Sequence, residues 1–276
     1  MSPSQKLSSL LVLGVCAMAA GPLGAQVLIT QNRVRLNYAE VEVRGDFVFS
    51  KKKLAEGGFA EVGIPIASIV AVEWPVPPEL AAAEAELDQG SPLAALPALK
   101  RQARLLAPFL KAEGSPWLQA QVALVRAYAR AGLPLEAERE FTVLKTAKVA
   151  EETLAGLQLD ITLAQAHAGE WNAFAPKLAE LRAAGLSETD SARLWLAQAE
   201  HDRRRGQPEK ALYAFLQVTV FHPRAEDQQP RALLGAIRCL RALGDAEQAG
   251  VLTEELGRRF AESPEAATAA REVPST

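Results

Sequence analysis

The chain has 276 residues, enough for one large or two modest domains. Hydrophobic residues make up 49% of it, charged residues 23% and aromatic residues only 6%, a balance that favours helices packed closely through small side chains. The formal net charge at pH 7 is −3, which is not the profile of a nucleic-acid-binding protein, so we expect no nucleic-acid partner.

Residues 1–25 have the pattern of a secretory signal peptide. Lys6 precedes an almost uninterrupted apolar run over residues 7–20, and small residues follow. The run is too short for a stable transmembrane helix. We therefore predict cleavage near Ala25–Gln26 and a periplasmic or secreted protein with no transmembrane helix in the mature chain. The alternative is a lipid-anchored or membrane-tethered envelope protein, with Cys16 as the residue that lipidation would use.

Residues 26–74 alternate between apolar and polar side chains, which predicts short β-strands. Turn signals separate the runs, at Gln31-Asn32, at the Arg44-Gly-Asp46 segment and near Gly57-Gly58. Five or six strands of this length suit a small antiparallel roll. One helical turn before the last strand resembles the arrangement in SH3-like and Sm-like barrels. We expect Lys51–Lys53 to be a solvated loop or edge.

A proline-rich linker at residues 75–78 separates this module from the rest of the chain. From residue 79 to residue 272 the hydrophobic period is helical, and residues 273–276 are expected to form a frayed tail. Glycine turns recur through the helical part. Their glycines are Gly132, Gly169, Gly206 and Gly244, spaced by 37, 37 and 38 residues, with a weaker copy at Gly90. A fixed period of this size predicts a solenoid of helix pairs.

Each turn glycine is expected to end a helix in the left-handed conformation. Five residues after it, a small side chain is needed where the second helix crosses the first. The residues there are Ala95, Ala137, Ala211 and Ala249, with Phe174 in the third copy. Four residues further on, larger side chains are expected to fill the same interface. These are Leu99, Phe141, Leu178 and Phe215.

These positions resemble the tetratricopeptide repeat family, over about residues 78–260. The fourth copy matches the family pattern best, with Trp195, Gly206, Ala211, Phe215 and Pro223 in order. The resemblance implies a mainly α fold, a solenoid of about five helix pairs preceded by the small all-β module. It also implies that the first helix of each pair lines a groove that binds a peptide or partner protein.

Arginines recur at equal distances before the turn glycines. Arg126 and Arg238 lie six residues before their glycine, Arg130 and Arg204 two, Arg203 and Arg241 three, and Arg193 and Arg231 thirteen. Equal offsets place residues on one face of successive helices, so we predict a basic strip that binds an acidic segment. Leu159, Leu163 and His167 interrupt the strip and predict an apolar patch. The alternative is that these arginines are only the solvated face of amphipathic helices.

No catalytic, cofactor-binding or metal-binding pattern is found in the sequence. The three histidines lack partners at metal-ligand spacing, and no phosphate loop or nucleophile elbow is present. Glu200–Asp202 is expected to be a solvated helix face. Cys239 lies in a helical run and is expected to be a small buried residue.

The sequence therefore predicts an exported, non-catalytic adaptor that binds a peptide or partner protein in the groove of the solenoid. The β module would provide a second contact or localise the protein. The alternative is a permanent structural subunit of a cell-envelope complex. An enzyme with an unrecognised site is the least favoured reading, because clusters of His, Cys and carboxylate residues are missing from the sequence.

Overall fold

The computed structural model describes residues 26–54 and 57–272. The predicted signal peptide and its cleavage site up to Ala25 lie outside the described residues, and so does the predicted tail at 273–276.

The β module contains six strands in the described residues. They are β1 Val27–Thr30, β2 Arg35–Asn37, β3 Val41–Arg44, β4 Phe47–Lys53, β5 Phe59–Pro65 and β6 Ile69–Glu73. Two three-stranded antiparallel sheets result, ordered β2-β1-β6 and β3-β4-β5. Leu28 and Val48, one from each sheet, are fully buried and belong to one hydrophobic core. The single helical turn predicted before the last strand is the 3-10 turn Ile66–Ser68.

Lys51–Lys53 forms the end of β4, not a loop. These lysines pair with Phe59–Glu61 of β5. Among the described strands β3 stops short of them, because its register begins with Val41 opposite Ser50. The lysines thus lie on a hairpin with one unpaired side, which agrees with the expected solvated edge. Strand β5 itself had no clear alternation in the sequence.

The helical part consists of five helix pairs and a final helix in the described residues. The helices are α1 Pro78–Asp88, α2 Pro92–Leu106, α3 Trp117–Arg130, α4 Pro134–Leu144, α5 Glu151–His167, α6 Trp171–Ala183, α7 Glu188–Arg204, α8 Pro208–Phe221, α9 Gln229–Ala242, α10 Ala246–Arg259 and α11 Pro264–Arg271. The architecture is the predicted tetratricopeptide-like solenoid preceded by a small β module. Helix α11 packs against α9 and α10 and covers the last pair.

The turn within each pair follows the repeat pattern read from the sequence. All five turn glycines adopt positive φ, from 69° at Gly206 to 101° at Gly169, a conformation in which a side chain would be strained. The small residues five positions later are buried, and Phe174 is buried in the third pair as well. The larger residues four positions further on are buried too, which confirms the predicted repeat register.

The β module is joined to the solenoid by backbone pairing. Glu113, in the connection between α2 and α3, pairs with the open edge of β6. Its carbonyl accepts from the Val72 N–H at 2.8 Å, and its N–H donates to the Val70 carbonyl at 2.9 Å. Trp74 lies beside Tyr38 and Phe109, with ring centroids 4.5 and 5.9 Å away. One hydrophobic core therefore extends from the sheets into the first helix pairs.

Candidate partner-binding groove

The first helices of the pairs contact one another in sequence and form one continuous face. Three adjoining cavities of about 710, 420 and 570 Å³ open on this face between the β module and α9. Arg130 lines all three, and Asp160 and Arg193 line the second and third. We call this row of cavities the groove. Its size is in the range of ordinary ligand and peptide sites.

The eight predicted arginines fall into two sets on this face. Four of them line the groove, namely Arg126, Arg130, Arg193 and Arg231. The other four, which we call the C-terminal arginine cluster, lie towards the ends of α7 and α9 and pair with Glu200 or Glu272. They are Arg203, Arg204, Arg238 and Arg241.

Asp160 is the centre of the groove, and the sequence analysis missed it. Its side chain is only 4% exposed, and its Oδ1 accepts from Arg193 Nη2 at 2.5 Å. Its Oδ2 lies 3.9 Å from Arg126 Nε. Because Asp160 is on α5, Arg126 on α3 and Arg193 on α7, one carboxylate links three successive repeats.

A glycine on α5 allows a second carboxylate to reach the same arginine. A Cβ on Gly156 would stand 3.0 Å from Asp190 Oδ2, while Asp190 Oδ1 accepts from Arg193 Nη1 at 2.8 Å. Burial lowers the pKa of the Arg193 guanidinium, but Asp160 and Asp190 outweigh it, so the pKa is raised. Arg193 is therefore a fixed cation already held by two acids of this chain.

Arg130 and Arg231 are the groove arginines with unused capacity. Arg130 Nη1 donates to the Leu87 carbonyl at 3.2 Å, and its nearest carboxylate, Asp88, is 4.0 Å away. Arg231 is exposed in the wall of the third cavity and forms no ion pair with any carboxylate of the described residues. The predicted basic strip is therefore reduced to these two positions within the groove.

The predicted apolar patch is wrong in one of its residues. Leu159 is fully buried and packs against Phe174, Leu178 and Leu194, so it cannot contact a partner. Adjacent residues point in different directions around a helix, so Leu159 faces the neighbouring helices while Asp160 faces the groove. Leu163 is half-buried and lines the third cavity, where Leu196 and Ala197 of α7 add apolar surface.

Glu200–Asp202 is not the solvated face that we expected. His201 is buried and stacks on Trp171, with ring centroids 5.5 Å apart. Asp202 is also buried and accepts from Gln198 Nε2 at 2.7 Å. Helix α6 packs across this part of α7, which covers His201. Glu200 alone remains partly exposed and is engaged by Arg203 and Arg204 at 2.8 and 3.1 Å.

Cys239 and His222, which lie outside the groove, have pKa values shifted by burial. Cys239 is buried as expected, and burial raises the pKa of its thiol to about 11, so it is unreactive at neutral pH. Burial lowers the pKa of His222, an effect that the nearby Glu188 opposes. Residues 26–54 and 57–272 contain no group of three or more His, Cys, Asp or Glu side chains that could hold a metal ion.

Within the same described ranges, no helix is long and apolar enough to cross a membrane.

Comparison with known proteins gives similarity of architecture alone. No protein-family model matches the sequence, and no curated protein matches it. Two crystal structures of kinesin light chain-like TPR repeats from Podosopora anserina are 18% identical, with TM-scores of 0.48 and 0.47. The aligned regions cover 70% and 65% of this chain, and 95% and 92% of the two solved chains. PilW, a type IV pilus biogenesis factor, is 16% identical with a TM-score of 0.42, over 70% of this chain and 96% of its own.

The helix pairs, the positive-φ turn glycines and the buried crossing residues of the chain itself define its fold.

Proposed function

We propose that the chain is a non-catalytic adaptor that binds an acidic segment of a partner protein along the groove. The observation that carries the proposal is the pair Arg130 and Arg231, which border the same cavity. Arg231 forms no ion pair within the described residues, and the only carboxylate near Arg130 among them is the exposed Asp88, 4.0 Å away. Asp160 illustrates the expected chemistry, because it already joins Arg126 and Arg193 in this way. Charge-assisted contacts of arginine with carboxylate are strong and directional.

The partner segment should also carry apolar side chains. Leu163, Leu196 and Ala197 line the third cavity beside Arg231. Apolar contact area supplies binding energy, whereas carboxylate contacts fix the position of the segment. An extended segment in which acidic and apolar residues alternate matches this lining.

The direct test replaces both unused arginines. The variant Arg130→Ala/Arg231→Ala should lose retention of the partner from an envelope extract, with the partner identified by mass spectrometry. Binding of the partner to the parent protein should weaken with added salt, since exposed charges are screened over about 8 Å at physiological ionic strength. Arg224→Ala/Arg258→Ala replaces two exposed arginines that do not line the groove. It makes the same change in net charge and should bind normally. Equal binding by the double variant and the parent would refute the proposal.

Export is part of the same proposal, supported by the residue pattern of positions 1–25. The mature protein should begin at or near Gln26 and be periplasmic or secreted. N-terminal sequencing of the protein from its producing cell checks this. A soluble cytoplasmic form that still begins at Met1 would contradict export, and an acylated Cys16 would favour the lipid-anchored alternative.

A permanent structural subunit of an envelope complex is the second candidate. The outer face of the β3-β4-β5 sheet favours it, because Phe47 is 44% exposed and Phe59 is 71% exposed. Both side chains lie on one face, at opposite ends of the β4-β5 ladder, and a sheet face with exposed aromatic side chains is one that another subunit can cover. Co-purification of a salt-resistant assembly, with no binding of free segments in the groove, would distinguish this candidate from the adaptor.

A further inference from the structure

The C-terminal arginine cluster holds a carboxylate of its own chain. Arg238 and Arg241, about one turn apart on α9, both reach Glu272, the first residue after α11. Arg238 Nη2 lies 2.5 Å from Glu272 Oε1, and Arg238 Nε is 3.2 Å from both carboxylate oxygens. Arg241 Nη1 lies 3.6 Å from Oε2. The guanidinium of Arg238 therefore donates to the carboxylate through both Nε and Nη2, the geometry in which arginine binds acidic ligands.

This contact is at the surface. The side chains of Arg238 and Glu272 are 45% and 34% exposed, and α11 is a helix of eight residues at the end of the solenoid. Exposed ion pairs contribute little to stability, because water and salt compete for both partners. Another carboxylate can therefore replace Glu272 without unfolding the repeats.

The cluster also carries more positive than negative charge. Arg203 and Arg204 of α7 share Glu200, and Arg238 and Arg241 share Glu272, so four guanidinium groups face two carboxylates. Glu272 raises the pKa of Arg238, whereas the nearby Arg203 cation lowers it. The excess of arginine favours an additional anion at this place.

The cluster continues the groove. Arg231 and Arg238 are seven residues apart on α9, about two helical turns, so they lie on the same face. The rise along the helix is about 10 Å, a distance that three or four residues of an extended segment span. One acidic segment can therefore place one carboxylate at Arg231 and the next at Arg238.

We propose that Arg238 and Arg241 form a second carboxylate subsite of the groove, and that Glu272 occupies it as an internal competitor until an acidic side chain of the partner segment displaces it. That the displacing carboxylate belongs to a partner segment rests on the proposed function. The occupant is a protein carboxylate, because that is the group the two arginines already hold.

The test uses the mature full-length chain and a fluorescent hexaglutamate peptide as the probe. Glu272→Gln removes the competing charge and keeps the shape of the side chain. If Glu272 occupies the subsite about 80–90% of the time, the variant should bind the probe roughly five- to tenfold more tightly. Glu262→Gln, an exposed glutamate just before α11, makes the same change in net charge and should leave the affinity near that of the parent.

A second variant makes the assignment specific. Adding Arg238→Gln to Glu272→Gln should abolish the gain in affinity, with the thermal unfolding of all variants measured alongside. Equal affinities for Glu272→Gln and Glu262→Gln would overturn the proposal, and so would a gain that survives Arg238→Gln or a probe that binds none of the proteins. The Arg130→Ala/Arg231→Ala variant tests the proposed function separately, so failure of the groove can be distinguished from failure of the second subsite.

Discussion

At the scale of single residues, Asp160 links three repeats, because its buried carboxylate lies between Arg126 of α3 and Arg193 of α7. The arginine offsets were visible in the sequence, but the third repeat was read only as an interruption by leucines. Asp160, the acid that pairs with Arg126 and Arg193, is in that repeat and lies 33 residues from Arg193 in sequence. A single Asp in an apolar helical run can face water or a buried partner. The distance between neighbouring helices decides which, and that distance follows from tertiary packing.

Gly235 is a second residue whose role depends on packing. It lies on α9, and a Cβ there would stand only 2.4 Å from Cε1 and Cζ of Phe215, the large side chain of the fourth repeat. We expect Gly235→Ala to lower the free energy of unfolding by about 1–3 kcal/mol, as overpacked cores do. Chemical denaturation with circular dichroism measures this.

The matched control for that substitution is Gly250→Ala on α10. Nothing lies within 4 Å of a Cβ at that position, so the gain in helix propensity should stabilise the protein by about 0.5–1 kcal/mol. If both alanine variants were equally stable, the contact between Gly235 and Phe215 would not limit the packing of α8 on α9.

At the scale of elements, the parts with local signals were predictable. A left-handed glycine lies in the turn of all five described helix pairs, a small residue follows five positions later in four of them, and a large one follows at nine in four of them. These local requirements recur in the sequence. Even Phe174 keeps its buried place in the third pair. Strand β5 was not predicted, because Phe59–Pro65 has exposed residues on both faces and so shows no clear alternation. The pairing of Glu113 with β6 was not predicted either, because it joins segments that are far apart in the sequence.

The junction between the β module and the solenoid depends on Gly114. Its φ is +77°, and a Cβ would stand 2.6 Å from the Val72 carbonyl oxygen. Gly114→Ala should therefore strain the turn and push Glu113 away from β6, at a cost of at least about 1 kcal/mol. Hydrogen exchange should show faster exchange of the Val72 amide in the variant, with the amides of α8 and α9 unchanged. Normal protection of Val72 would mean that the junction tolerates the side chain.

At the scale of the whole molecule, the structure replaces a uniform basic strip with alternating charge. Asp160, Glu200 and Glu272 each neutralise arginines of this face, at positions that the sequence offsets could not relate to one another. Helical periodicity identifies which residues share a face, but not which side chains on neighbouring helices meet. What remains for a partner is the pair Arg130 and Arg231, together with the subsite held by Glu272.

The place where the partner contacts the solenoid tests the proposed groove most directly. His167 is exposed and lines the third cavity, whereas Leu135 is 74% exposed on α4, the second helix of its pair. A photo-crosslinking amino acid should be placed at each position in turn, in the producing cell. We expect a crosslinked partner at position 167, lost in the Arg130→Ala/Arg231→Ala background, and no crosslinked partner at position 135. Crosslinking only at position 135, or crosslinking at 167 that survives removal of both arginines, would contradict the proposed groove.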